Sequence, residues 1–319
     1  MLKKIGKVLM IMLALLIVMP ALIARGCNCG KTPPGVKVEP YMIAVWNHRT
    51  QELMRMPLGE YLAGVVAAEM PAQFHAEALK AQAIVARTYT VAKIRANGGM
   101  GCGKHPEADV CTDSTHCQAW TDYEGATAKW PFFRQRAYWR KICRAVFETE
   151  SQVITNQGKF IDAVYHSTCG GSTENSEAVW TNEIPYLRAV SCGYCNASPR
   201  FTETVAISAK EVAEKLGVPL EALNLKVIEQ TASGRIIKIN TGKEIIRGLE
   251  FRNRLGLRSS RVSWLKEENA YSFTTSGYGH AVGLCQYGAD GMARQGYNAL
   301  EIINHYYTGI QVSRVQTGE

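Results

Sequence analysis

The sequence is poor in most features that would name a class at once. It has no internal repeat, and only one apolar run in it is long enough to meet a bilayer. Repeat architectures and multi-span membrane proteins are therefore excluded. A composition 46% apolar and 20% charged also excludes a disordered chain, collagen and a long coiled coil. Ten cysteines in 319 residues are too dilute for a scaffold built on disulfides. They still suffice for a metal or a few local bridges. The glycine pair that follows Tyr165 lacks the Gly-Lys-Ser/Thr of a phosphate-binding loop. Acidic residues are outnumbered 28 to 36, giving +8, but Lys3, Lys4, Lys7 and Arg25 supply half of that surplus before residue 26. The remainder carries +4, so composition gives little support to a nucleic-acid partner.

What is present begins with that apolar run. Val8 to Ala24 contains no charge and is flanked by the N-terminal lysines and Arg25. Its length is at the short limit for a helix crossing about 30 Å of hydrocarbon. The basic flank places the N-terminus in the cytoplasm and the rest outside it. A cleaved signal peptide is the rival reading, although no clean small-x-small site follows. Residues 1–25 are thus read as a cytoplasmic tip and single transmembrane anchor, and the Gly- and Pro-rich 26–38 as a linker. Residues 39–315 form an extracytoplasmic domain, with 201–266 a candidate subdomain.

Within the domain, Tyr41 to Trp46 and the turn at Asn47-His48-Arg49-Thr50 suggest a hairpin. Leu58, Leu62, Val65, Val66 and Glu69 fall on one helical face, and Pro71 ends that helix. A second helix is expected from about His75 to Arg95. The aperiodic stretch 97–118 is rich in Gly, Cys and His and needs something to order it. A helix near 134–150, a hairpin from Val153 to His166, a short helix at 209–216 and a helix at 289–307 complete the pattern. The irregular alternation predicts an α+β fold, with mixed helices and short antiparallel strands around a substrate cleft, after the transmembrane helix.

Glu69 is the residue most out of place. It lies on an apolar stripe at a helix C-terminus, where burial and the negative helix end both disfavour its charge. A carboxyl kept protonated in this way suits a general acid; a structural Glu paired with a base is the plain alternative. Lys80 and Arg87 share a face of the next helix and could turn toward it, or be solvated. Tyr165-His166-Ser167 followed by Gly170-Gly171, and the Gly277–Gly283 loop with His280, look like sites for a polyhydroxylated ligand or plain Gly-rich turns. His105, Cys111, His116 and Cys117 form an N2S2 set suited to structural zinc. A disulfide such as Cys111 with Cys117 competes with that reading, and Cys102 could replace one ligand. Cys192 and Cys195 read as a local bridge or idle thiols. The aromatic and basic stretch Lys129 to Arg144 is read as an amphipathic helix rather than a nucleic-acid surface.

Several ordered segments resemble the bacterial stage II sporulation protein D family. They are Tyr61 to Pro71 with its Ala-Glu-Met-Pro, Ala78 to Ala83 with Ala86-Arg87-Thr88-Tyr89, and Tyr165-His166-Ser167 with Gly170-Gly171. Phe251-Arg252 with Leu255 to Ser259, Gly279 to Leu284 with Gln286-Tyr287-Gly288-Ala289, and Ile302 to Gly309 continue the likeness across about residues 38–315. The resemblance implies a membrane-anchored lytic transglycosylase. Such an enzyme cuts peptidoglycan glycan strands between N-acetylmuramic acid and N-acetylglucosamine, leaving 1,6-anhydro ends, during forespore engulfment. It implies Glu69 as the catalytic acid, Lys80, Arg87, Tyr165, His166, Ser167, Gly170, Gly171, His280 and Gln286 as substrate-binding residues, and zinc on His105, Cys111, His116 and Cys117. It further implies a preference for strands stripped of stem peptides, the partners stage II sporulation proteins P and M, and a location in the cell membrane, on the mother-cell side of the septum. Cys285 stands where the family motif has a serine. Two other function classes remain open: a non-catalytic glycan-binding enhancer of an amidase, and an amidase using Cys169 or Ser167 with His166.

Overall fold

The computed structural model describes residues 41–314. The expected anchor 1–25 and linker 26–38 lie outside the described residues. No helix among the described residues is long and apolar enough to cross a membrane. The chain is a mixed α+β structure, and the helices central to it come early.

Strands β1 (Met42–Asn47) and β2 (Glu52–Pro57) form the expected hairpin. Pro57 leads directly into α1 (Leu58–Glu69), whose last backbone bond joins the N–H of Met70 to the carbonyl of Val66. Pro71 bars Met70 from helical backbone angles, so the helix stops with Glu69 as its final residue. Next comes α2 (Ala76–Lys93), capped by the His75 ring, which accepts from the N–H of Glu77. This helix is the hub of the main core. It packs on α1, β4 (Gln152–Asn156) and three helices: α4 (Gln135–Glu148), α8 (Gln286–Arg294) and α9 (Ala299–Tyr306). Its packing side is alanine-rich, with Ala78, Ala81, Ala83 and Ala86 almost fully buried, which lets neighbouring helices approach closely.

Two sequence expectations differ from the structure. The segment 289–307 is two helices rather than one, because Gly296 takes φ +96° and Asn298 builds a capping box with Glu301 at the start of α9. The hairpin expected from Val153 to His166 is confined to β4 and β5 (Lys159–Phe160). Strand β6 (Tyr165–His166) pairs in parallel with β13 (Leu284–Cys285), more than a hundred residues away. That pairing brings the two Gly-rich loops together, and a local reading of the sequence cannot detect it.

Residues Ile207 to Phe273 carry a second apolar core. It lies among a sheet of β11 (Val262–Lys266), β12 (Ala270–Ser276) and β7 (Thr202–Ser208), a meander of β8 (Lys226–Gln230), β9 (Ile236–Asn240) and β10 (Ile245–Arg247), and helices α6 (Ala209–Leu216) and α7 (Gly248–Leu255). Strand β12 (Ala270–Ser276) leaves this unit and runs straight into the Gly277–Gly283 loop beside β6. A buried ion pair between Arg235 of this unit and Glu174 joins it to the main body.

Candidate active site

The end of α1 opens into a cleft of about 680 Å³. Glu69, Gln118, Tyr165, His166, Ser167, His280, Gln286 and Tyr287 are among its lining residues. Four segments distant in sequence therefore contribute, and the contacts between α1, α2 and α8 fix their relative positions.

Glu69 is half-buried on the wall. Its Oε1 accepts the backbone N–H of Ala119 at 2.9 Å. The side chains of Tyr165 and Gln286 also hydrogen-bond to the carboxyl group. Burial pushes its pKa above the usual carboxylate range, while these three donors pull against that shift. Ala119 can approach because Gly64, one turn and a half back on α1, has no side chain. A Cβ there would lie 2.2 Å from Trp120 Nε1 and 2.5 Å from the carbonyl oxygen of Thr121. Gly64 is therefore the residue that allows the 118–121 segment to lie on α1.

A hydrogen-bonded chain holds Tyr165. Gln118, almost fully buried, donates Nε2 to the Tyr165 hydroxyl at 3.1 Å, and its Oε1 lies 3.0 Å from the hydroxyl of Thr90 on α2. His166 Nδ1 lies 3.1 Å from the carbonyl of Val282 and so carries the proton, leaving Nε2 as an acceptor. His280 takes the other tautomer, since its Nδ1 accepts the N–H of Val282 at 3.1 Å. Burial lowers the pKa of both rings, that of His280 to about 4, so both are neutral near neutrality. Ser167 lies on the wall, with its hydroxyl 3.4 Å from that of Thr168.

Four residues assigned to the substrate on sequence grounds are placed elsewhere. Lys80 pairs with Glu77 at 2.8 Å and Glu148 at 2.7 Å, on the face of α2 that meets α4. Arg87 is buried away from the cleft and donates to the carbonyl of Val146 at 2.9 Å, near the C-terminus of α4. There it shares the Val146 carbonyl at the helix end with the hydroxyl of Thr149. Gly170 and Gly171 do not line the cleft. The positive φ of Gly170 and its closeness to Ser276 and Gly277 serve the crossing of two backbones. Conversely, sequence reasoning missed Gln118 and Ala119, and it did not assign Arg200 and Arg252 to the wall. Arg252 already stood in the Phe251-Arg252 motif; Arg200, stacked over the Tyr278 ring at 4.7 Å, carried no signal.

The 102–117 loop borders the same cleft through Ser114, Thr115 and Cys117. Three thiols converge on one imidazole: His116 Nδ1 lies 3.6 Å from Cys102 Sγ, 3.4 Å from Cys111 Sγ and 3.4 Å from Cys117 Sγ. The ligand atoms of these four residues all lie within 4.8 Å of one another. On a tetrahedral zinc, with Zn–S about 2.3 Å and Zn–N about 2.0 Å, nitrogen and sulfur would be about 3.6 Å apart. The set therefore fits that ion. The expected ligand His105 is replaced by Cys102, because its ring stacks on Trp46 of β1, centroids 4.7 Å apart. Strand pairing holds Cys111 opposite that same Trp46.

The family profile described as Stage II sporulation protein matches residues 46–156, which include Glu69 and the whole cysteine loop. Stage II sporulation protein D of Bacillus subtilis is 34% identical over 280 residues, spanning 87% of this chain and 80% of the relative. The chain belongs to the stage II sporulation protein D family. The Bacillus amyloliquefaciens protein of that name is 34% identical over 287 residues, spanning 89% of this chain and 82% of its own length. A more distant relative, the Amidase enhancer of Bacillus subtilis, is 26% identical over 308 residues, covering 78% of this chain and 39% of its own length. Membership places the chain in a sporulation family, and its similarity to the first two relatives extends well beyond the profile match.

Proposed function

We propose that the protein is a lytic transglycosylase that cuts the bond between N-acetylmuramic acid and N-acetylglucosamine in peptidoglycan. The observation that carries this reading is that Glu69 is the only acidic residue among the described residues that line the cleft. A hydrolytic glycosidase uses two carboxyl groups, one for the leaving group and one as nucleophile or base. A transglycosylase needs one. Glu69, whose burial favours the protonated form, gives its proton to the glycosidic oxygen as the bond from the anomeric carbon breaks. As carboxylate, it then takes the proton of the sugar's own C6 hydroxyl, whose oxygen bonds to that carbon. The 1,6-anhydro ring closes, the proton inventory of Glu69 is restored, and no water is consumed.

The surrounding groups suit this cycle. The Ala119 N–H, Tyr165 and Gln286 stabilise the carboxylate formed midway, and the 90–118–165 chain fixes Tyr165. Removal of stem peptides exposes the lactyl carboxylates of muramic acid, and Arg200 and Arg252 give the wall a charge that would favour them. A zinc on Cys102, Cys111, His116 and Cys117 would supply loop order and no reaction step, since four protein ligands close its coordination. Family membership further supports action outside the cytoplasm from a single-pass anchor, alongside stage II sporulation proteins P and M.

The test is mass spectrometry of the products from purified denuded strands. Wild-type protein is expected to give anhydro ends, lighter by one water than the reducing ends a hydrolase leaves. Glu69→Gln should retain binding and lose cleavage by about 10²- to 10⁴-fold. The likeness to an amidase enhancer supports a second reading, glycan binding without cleavage. Strand binding by wild type with no anhydro product would select that reading and defeat the first.

A further inference from the structure

A second group of thiols lies behind the cleft. Cys169, Cys192, Cys195 and Cys285 are all buried, and their four sulfurs lie within 4.8 Å of one another. We propose that this is a second, structural zinc site with four thiolate ligands, independent of the first.

The spacing argues for a single metal ion. Sulfurs bound to one tetrahedral zinc lie about 3.8 Å apart. The Cys169 and Cys195 sulfurs are 3.4 Å apart, close to that edge and far from the roughly 2.05 Å of a disulfide. An iron–sulfur cluster places several metal atoms between its cysteines and holds them farther apart than this set allows. The donors are soft, as zinc prefers, and Cys192-x-x-Cys195 supplies the short chelating pair found in closed zinc sites.

The environment also suits thiolates. Cys285 Sγ accepts the backbone N–H of Cys169 at 3.2 Å and of Gly288 at 3.3 Å, and it caps the N-terminus of α8. The Tyr306 hydroxyl lies 3.1 Å from Cys192 Sγ. Gly288 keeps the space open, since a Cβ there would lie 2.7 Å from Cys192 Sγ. The Arg235 guanidinium, paired on its other side with Glu174, donates to the carbonyl of Cys169 and so fixes the backbone of that ligand.

Position gives the site its purpose. Cys285 immediately precedes Gln286, and Cys169 follows Tyr165 by four residues, so both segments that touch Glu69 would be pinned from behind. Pairing alone holds them weakly, because β6 and β13 share two residues each. The 192–195 loop has no strand or helix of its own to fix it. With four protein ligands, the ion has no open position for substrate. Its role is to hold the cleft floor.

The experiment uses the full chain in detergent, purified without chelator or added reductant, and none of its readouts involves glycan. Elemental analysis is expected to find two zinc ions per chain. The Cys111→Ser/Cys117→Ser variant should keep one, and Cys169→Ser/Cys195→Ser should lose one. Non-reducing peptide mapping should find all four thiols of this group unlinked. A folded Cys111→Ser/Cys117→Ser variant free of zinc, or a disulfide between any two of the four, would overturn the proposal. Should that variant not fold, zinc-edge X-ray absorption on wild type decides the matter. A sulfur-only shell, alone or mixed with a sulfur–imidazole shell, supports the site, whereas a single shell of three sulfurs and one nitrogen rejects it.

Discussion

The carboxylate of Glu69 is held by the backbone N–H of Ala119, fifty residues further along the chain, at 2.9 Å. A backbone donor cannot be removed by changing its side chain. It therefore marks how the cleft is built: the loop that carries the cysteine set is laid against the end of α1, and Gly64 provides the space.

The pH dependence follows from Glu69. Its first task requires the protonated form, so activity should be present below its raised pKa and fall as pH rises through it. Tyr165→Phe removes a donor to the carboxylate, which disfavours ionisation and should move that alkaline limb upward by about one unit. A pH–rate profile of kcat/KM for the two proteins checks the sign, and a downward move would contradict the assigned contact.

The same shift affects stability. A carboxyl whose pKa is higher in the folded chain than in the unfolded one favours folding at low pH, and that contribution is lost as pH rises through the folded value. Glu69→Gln is isosteric and carries no charge. Its melting temperature should exceed that of wild type at neutral pH and approach it in acid, as scanning calorimetry at several pH values would show.

Arg87 and Lys80 separate structural from substrate roles. Arg87→Met removes the buried hydrogen bonds from the guanidinium to the Val146 carbonyl and the Thr149 hydroxyl and should cost about 2–4 kcal/mol in denaturant unfolding. KM of the folded protein should not change. Lys80→Met should cost at most about 1 kcal/mol, because its partners are partly exposed. A tenfold rise in KM with unchanged stability in either variant would return that residue to the cleft.

Arg200 is exposed and stacks on Tyr278, so its contribution should be electrostatic and screened. Arg200→Ala should weaken binding of denuded strands about three- to fivefold at low salt, with the difference shrinking as salt increases. Equal losses at all ionic strengths, measured by calorimetry or co-sedimentation, would point to lost packing instead.

The sequence by itself determined the elements whose cause is local. The apolar stripe and the proline after it specify α1 and its end, and so the unusual setting of Glu69. The turn residues specify β1 and β2, and the ordered motifs identify the family. Lys80 and Arg87 show the limit of that reading: a shared helical face says which residues are neighbours, but not what they face. Likewise, spacing along a loop drew in His105, whereas stacking on Trp46 leaves Cys102 as the fourth member. The tertiary structure alone decided the parallel pairing of β6 with β13, the approach of Ala119 to Glu69 and the meeting of Cys169, Cys192, Cys195 and Cys285. Each joins segments whose separation in sequence has no period or motif to announce it. Their closeness is fixed by how the helices and loops pack around α2.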